Sequence, residues 1–136
     1  MCAMERVSTA GSEAVRRSAS PVFDYDRSLA RLGGDPRLFA EIVVLFLEDS
    51  PKLLDLARKS IEQSNLAELE RAAHSLKGLS VNFDADELAS AAAAVEQHAH
   101  HHDGQRALAC FQDMERELAR LQQSLSEFRS ADSAGQ

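Results

Sequence analysis

The chain has 136 residues, 44% of them hydrophobic and 27% charged, with a formal net charge of -7. That length favours a single domain, and the composition is too apolar for a wholly disordered chain. The acidic balance opposes binding to a phosphate backbone, and no apolar run approaches the ~20 residues that cross a bilayer. Neither nucleic acid nor membrane is expected as a partner, and cytoplasmic residence is expected by default. Cys2 lies in a polar tail and Cys110 in a helical pattern. They form neither a disulfide framework nor a zinc motif. Trp is absent, while Gly and Pro number only 6 and 3. Long helices around an aliphatic core fit this better than many short strands.

Residues 1–20 lack a clear period and read as a flexible tail. Tyr25 to Leu32 forms a short candidate helix ended by Gly33-Gly34. Asp35 then caps a long helix, with Pro36 at its first position, where the missing N–H costs nothing. Phe39, Ile42, Phe46, Leu53, Ala57 and Ile61 recur along it at helical spacing, and Pro51 predicts a kink or a restart. Asn65 with Glu68 resembles a capping box opening the next helix. Its apolar stripe is Leu66, Leu69, Ala73, Leu76, Ser80 and Phe83. Asp84 with Glu87 gives a similar start to a helix carrying Leu88, Ala92, Val95 and Ala99. Asp103 can cap the last helix. There Ala107, Phe111, Met114, Leu118, Leu121, Leu125 and Phe128 alternate steps of four and three. Residues 129–136 read as a frayed polar end. The expected fold is all-α: an antiparallel four-helix bundle over residues 21–128, with a short additional N-terminal helix across one end.

Within this pattern the run Ala73-His74-Ser75-Leu76-Lys77-Gly78 stands out. At ~100° per residue, His74 points away from Leu69, Ala73, Leu76, Ser80 and Phe83. Glu70, Arg71, Lys77, Gly78 and Val81 share its face. Periodicity therefore places the imidazole in solvent and leaves its task open. Gly78 sharpens the picture, because glycine inside a helix costs ~1 kcal/mol relative to alanine and often marks a close approach by other atoms. Lys77 brings a flexible positive charge to the same space. On the preceding helix, Val44 and Leu47 fall nearly opposite the core stripe. They are either covered by Leu29 and Leu32 or form an apolar docking patch, and both can hold in part.

The run, followed by Asn82-Phe83 and Ala85, resembles the signature of histidine-containing phosphotransfer (HPt) domains of multistep phosphorelays. Leu32-Gly33-Gly34-Asp35 leading to Phe46-Leu47 looks like that family's entry into its second helix. Val95-Glu96 looks like the end of the helix after the motif. The similarity spans roughly Phe23 to Phe128. It implies that His74 is the phosphoacceptor, that Lys77 offsets the phosphoryl charge and that Gly78 leaves room for a receiver domain. Val81, Arg71, Glu70, Val44 and Leu47 would complete the docking face. It further implies response-regulator receiver domains and a hybrid histidine kinase as partners, and a monomeric carrier with no ATP-dependent kinase activity. No cofactor is implied beyond Mg2+ supplied by the receiver. The chemistry agrees: an imidazole with an unperturbed pKa of ~6.5 is a competent nucleophile, and phosphoryl transfer asks mainly for position and charge neutralisation.

Two positions depart from the family pattern. Leu79-Ser80 stands where small residues are usual after the glycine, and Asp84 where glycine is usual. Asp84 can adopt a left-handed turn and is expected to cap the next helix. Glu70 could bond the His74 ring or repel an incoming phosphoryl group. The cluster His98, His100, His101 and His102 is expected to be a solvated helix end. Its one alternative is weak metal chelation by His98 and His102 at i, i+4 spacing. No metal site is expected among the functional residues. The alternative overall function is a helical adaptor that binds receivers without carrying phosphate.

Overall fold

The computed structural model describes residues 22–134, with side chains described through residue 131. The expected tail at 1–20 lies outside the described residues. Five helices and no strand occur among them: α1 (Tyr25–Arg31), α2 (Pro36–Glu62), α3 (Leu66–Val81), α4 (Asp86–His100) and α5 (Gly104–Ala134). Short turns make α2 to α5 antiparallel in succession. The helix α3 packs on α2 and α4, α4 packs on α5, and α5 returns to α2, closing a four-helix bundle.

The helices α2, α3 and α5 start where the sequence places a cap. Asp35 accepts from the N–H groups of Arg37 and Leu38, with Pro36 opening α2. Asn65 accepts from Glu68 N at 3.1 Å, and Asp103 from Arg106 N at 3.1 Å. Gly33 and Gly34 take φ of 75° and 78°, the left-handed turn that ends the first segment without a Cβ penalty.

The buried core follows the apolar stripes. Leu69, Ala73, Leu76 and Phe83 are buried, as are Leu88, Ala92, Val95 and Ala99, and Ala107 through Leu125 at the expected positions of α5. Ala72 and Val43 are buried as well. Ser80 is accommodated in the core because its hydroxyl donates to Leu76 O at 2.7 Å. Phe39, Phe83 and Phe128 meet edge to face at one end of the bundle, with Tyr25 5.0 Å from Phe39. The short α1 lies against this aromatic end.

Three expectations are corrected. The helix α2 does not end and restart at Pro51 but continues through it to Glu62. The helix α5 continues to Ala134, past the expected frayed end at 129, since nothing in Arg129-Ser130-Ala131-Asp132 interrupts a helix. Asp84 does not cap α4: Ala85 stands at the N-cap without a side-chain bond. Asp84 does adopt the left-handed turn, at φ 50°. Its carboxylate, 3% exposed, accepts from Ser28 Oγ at 3.1 Å, pairs with Arg31 and lies 3.3 Å from Arg27. A buried carboxylate needs such partners. Here they come from α1, so Asp84 fastens that short helix to the α3–α4 turn, beside the bond from Asp24 N to Phe83 O.

Candidate functional site

The stripe that buries Leu69, Ala73 and Leu76 turns the opposite face of α3 to solvent. His74 lies there with a side chain 67% exposed. Its Nδ1 lies 2.8 Å from Oε2 of Glu96 on α4. The other oxygen of Glu96, Oε1, accepts from Lys77 Nζ at 2.7 Å. One carboxylate thus holds both the imidazole and the lysine, one turn apart on α3.

The bond to Lys77 and, secondarily, the bond to His74 hold the Glu96 carboxyl below its ordinary value of 4.5, against an opposing effect of burial. Glu96 is therefore an ionised, acceptor-only group at neutral pH. A 2.8 Å contact with such an oxygen requires a proton on Nδ1. In the neutral ring this puts the lone pair on Nε2, which has no partner among the described residues. The arrangement is a nucleophilic nitrogen in solvent, with a cation beside it and its ring orientation fixed from behind.

Gly78 is the next helical residue after Lys77. A Cβ built on it would meet nothing within 4 Å. The bundle's own packing does not demand glycine there. Gly78 and Ser75 border a shallow hollow between α2 and α3, with Asp49, Lys52, Leu53 and Leu79. Leu79 is half-buried against the core. Val81 is 45% exposed. Val44 and Leu47 are both half-buried; Leu47, like Leu29 and Leu32, packs against the core. The exposed apolar residue of that stretch is Leu45, at 55%.

Glu70 and Arg71 line a hollow beside His74, but neither bonds its ring. Glu70 Oε2 is 3.1 Å from His100 Nδ1, and Arg71 pairs with Glu68. Among the described residues no group of three or more His, Cys, Asp or Glu side chains could hold a metal ion. The helical spacing that chelation by His98 and His102 needs is absent: α4 ends at His100, and His102 has φ 60°.

Glu96 is the residue in contact with the candidate site that sequence reasoning missed. The resemblance put Val95-Glu96 at the end of the helix after the motif, whereas α4 continues to His100, as the stripe through Ala99 implies. A signal did exist. The turn between α3 and α4 pairs residues equidistant from Ala85, and His74–Glu96 is such a pair, as is Glu70–His100. Once that turn is located, the acid beside Val95 falls opposite His74.

The fold and this exposed, lysine-flanked histidine define a phosphotransfer class, and the comparisons agree. The Hpt domain family model matches residues 41–131. Histidine-containing phosphotransfer protein B (HptB) from Pseudomonas aeruginosa PAO1 is 30% identical, with a TM-score of 0.75 over 82% of this chain and 97% of that one. A putative histidine-containing phosphotransfer protein from rice and one from maize are each 18% identical. Their TM-scores are 0.73 and 0.72, over 86% of this chain and 86% of theirs, which extends the likeness of fold. No curated protein matches the sequence. The chain belongs to the histidine-containing phosphotransfer family, the phosphoryl carriers of phosphorelays. No helix among the described residues is long and apolar enough to cross a membrane.

Proposed function

We propose that this chain is a phosphohistidine carrier that accepts a phosphoryl group from a receiver-domain aspartate and passes it to the aspartate of another receiver, with His74 as the acceptor. The observation that carries the reading is the His74 ring, exposed to solvent, bonded through Nδ1 to Glu96 and with no partner for Nε2 among the described residues. The Nε2 lone pair forms the N–P bond. The P–O bond to the receiver aspartate breaks, and its electron pair leaves with the carboxylate. The return step reverses these changes on a second aspartate.

Lys77 would turn to the phosphoryl oxygens and offset their charge. Further neutralisation, with Mg2+, falls to the receiver, since phosphoryl transfer relies on position and charge rather than on covalent help from the carrier. Gly78 gives the receiver room to approach. Val81, Leu47 and Val44 would supply apolar contact to the receiver, and Arg71 and Glu70, which line the hollow beside His74, would supply charged contact. A hybrid histidine kinase would be the upstream source.

The test is transfer of labelled phosphate from a phosphorylated receiver to the wild type and to His74→Gln. Acid-labile label on the wild type alone is expected. Equal labelling of the variant would remove His74 from the reaction. Receiver binding with no label on either protein would make the chain an adaptor.

A further inference from the structure

We infer that the outer flank of α2 is a self-docking surface: a second copy of this chain packs on it antiparallel, and the pair so formed keeps a receiver out. The exclusion of a receiver rests on the carrier reading above; the self-docking does not.

Leu38, Leu45 and Leu56 are three of the five large apolar side chains exposed among the described residues. With Ile42, Asp49 and Lys52 they recur in alternating steps of four and three, so one stripe of α2 carries all six. The core side chains Phe39, Val43, Phe46, Ser50 and Ala57 occupy another face of the helix and already close the bundle. The stripe is a coiled-coil seam left to solvent.

This seam matches its own reverse. Asp49 and Lys52 stand equally far from the midpoint between Ser50 and Pro51, and so do Leu45 and Leu56. A two-fold axis through that midpoint sets Leu45 against the partner's Leu56 and Asp49 against the partner's Lys52, each pair formed twice. A parallel pairing would instead oppose Asp49 to the partner's Asp49 and Lys52 to the partner's Lys52, which is repulsive. Charge therefore selects both the occupant and its direction. Nearby charges on α2 are already paired, Lys59 with Asp55 and Arg58 with Glu115, whereas Asp49 and Lys52 have no ion-pair partner among the described residues.

The seam is ~30 Å long and one helix wide. Its charged centre must be desolvated, so the association is weak and reversible. Asp49 and Lys52 also border the hollow at Ser75 and Gly78. A second copy seated on them covers the space that a receiver would need. The monomer that the resemblance implies is then the transferring form, in exchange with an inactive pair.

Sedimentation velocity on the full chain, from about 5 µM to about 1 mM, reads the association. In wild type the weight-average mass should climb toward twice that of the chain, half-way at on the order of 0.1 mM. Leu45→Glu and Lys52→Glu, both at exposed positions, should stay monomeric throughout. The double variant Asp49→Lys with Lys52→Asp exchanges the charges and restores the match, so it should associate within about threefold of wild type. Single-turnover transfer at fixed phosphorylated receiver should fall below proportionality as wild-type chain is added, and stay proportional with Leu56→Glu. A wild type that is monomeric at about 1 mM would overturn the inference. So would single variants that associate like wild type, or a charge exchange that stays monomeric. A receiver bound to an intact pair would overturn the exclusion. Failure of the wild type to take up phosphate would overturn the carrier reading instead, and sedimentation would still decide the self-docking.

Discussion

Two imidazole–carboxylate pairs bridge α3 and α4, and they mirror each other. In one, the histidine is on α3 and the acid on α4: His74 and Glu96 at 2.8 Å. In the other the helices exchange roles: Glu70 and His100 at 3.1 Å. Both histidines are about two-thirds exposed. An exposed histidine backed by an acid therefore does not by itself make a site. The first pair adds Lys77 on the same carboxylate and lies near Gly78, with open space over its α-carbon. The second lies on the last residue of α4, where a protonated imidazole is favourable to the helix dipole. It serves the helix end.

The largest expected effect separates the two directly. His74→Gln should abolish acid-labile labelling, whereas His100→Gln should label within about a factor of two of wild type, as befits an exposed pair worth under ~1 kcal/mol. Loss of label in the second variant alone would exchange their roles. Next comes Gly78→Glu, which fills the open space. It should slow transfer by about tenfold or more through misplacement of the receiver. Circular dichroism and melting temperature should be little altered, and an undiminished rate would refute the clearance role.

A smaller effect is expected of Lys77→Ala. Exposed charge pairs are modest, so the phosphohistidine should lose its phosphate about two- to fivefold faster. The same variant has a consequence in acid. The Glu96 carboxyl is held below 4.5 chiefly by Lys77. Its stabilising contribution is therefore complete above 4.5 and is lost as pH falls through the depressed folded value. Without Lys77 the Glu96 titration midpoint, followed by NMR, should move up toward 4.5. An unmoved midpoint would show that the lysine does not govern the acid.

How much of this was legible depended on the range of the interactions. The stripe on α3, the steps of α5 and the caps Asp35, Asn65 and Asp103 are local, and the residues that form them lie within a turn of one another. His74, Lys77 and Gly78 were legible for the same reason: one helix face carries all three. Glu96 was not, because its role comes from the register of two helices. Asp84 reads locally as a cap, and it is drawn elsewhere by Ser28 and Arg31, far away in sequence. Pro51 removes one backbone hydrogen bond, and the surrounding packing of α2 carries the helix through that loss. At the C-terminal end, polarity suggested fraying, but polar residues do not stop a helix whose next turn is sterically permitted.

Gly78 carries a consequence for anyone who would engineer the protein. An alanine methyl there would touch nothing and would improve helix propensity by about 1 kcal/mol. A thermostability screen that scores the isolated fold would select Gly78→Ala as a gain. A screen that scores signalling through the chain should reject larger side chains at the same position. The two selections would diverge at a single α-carbon, which makes Gly78 a place to measure how far stability and exchange with other molecules compete in this bundle.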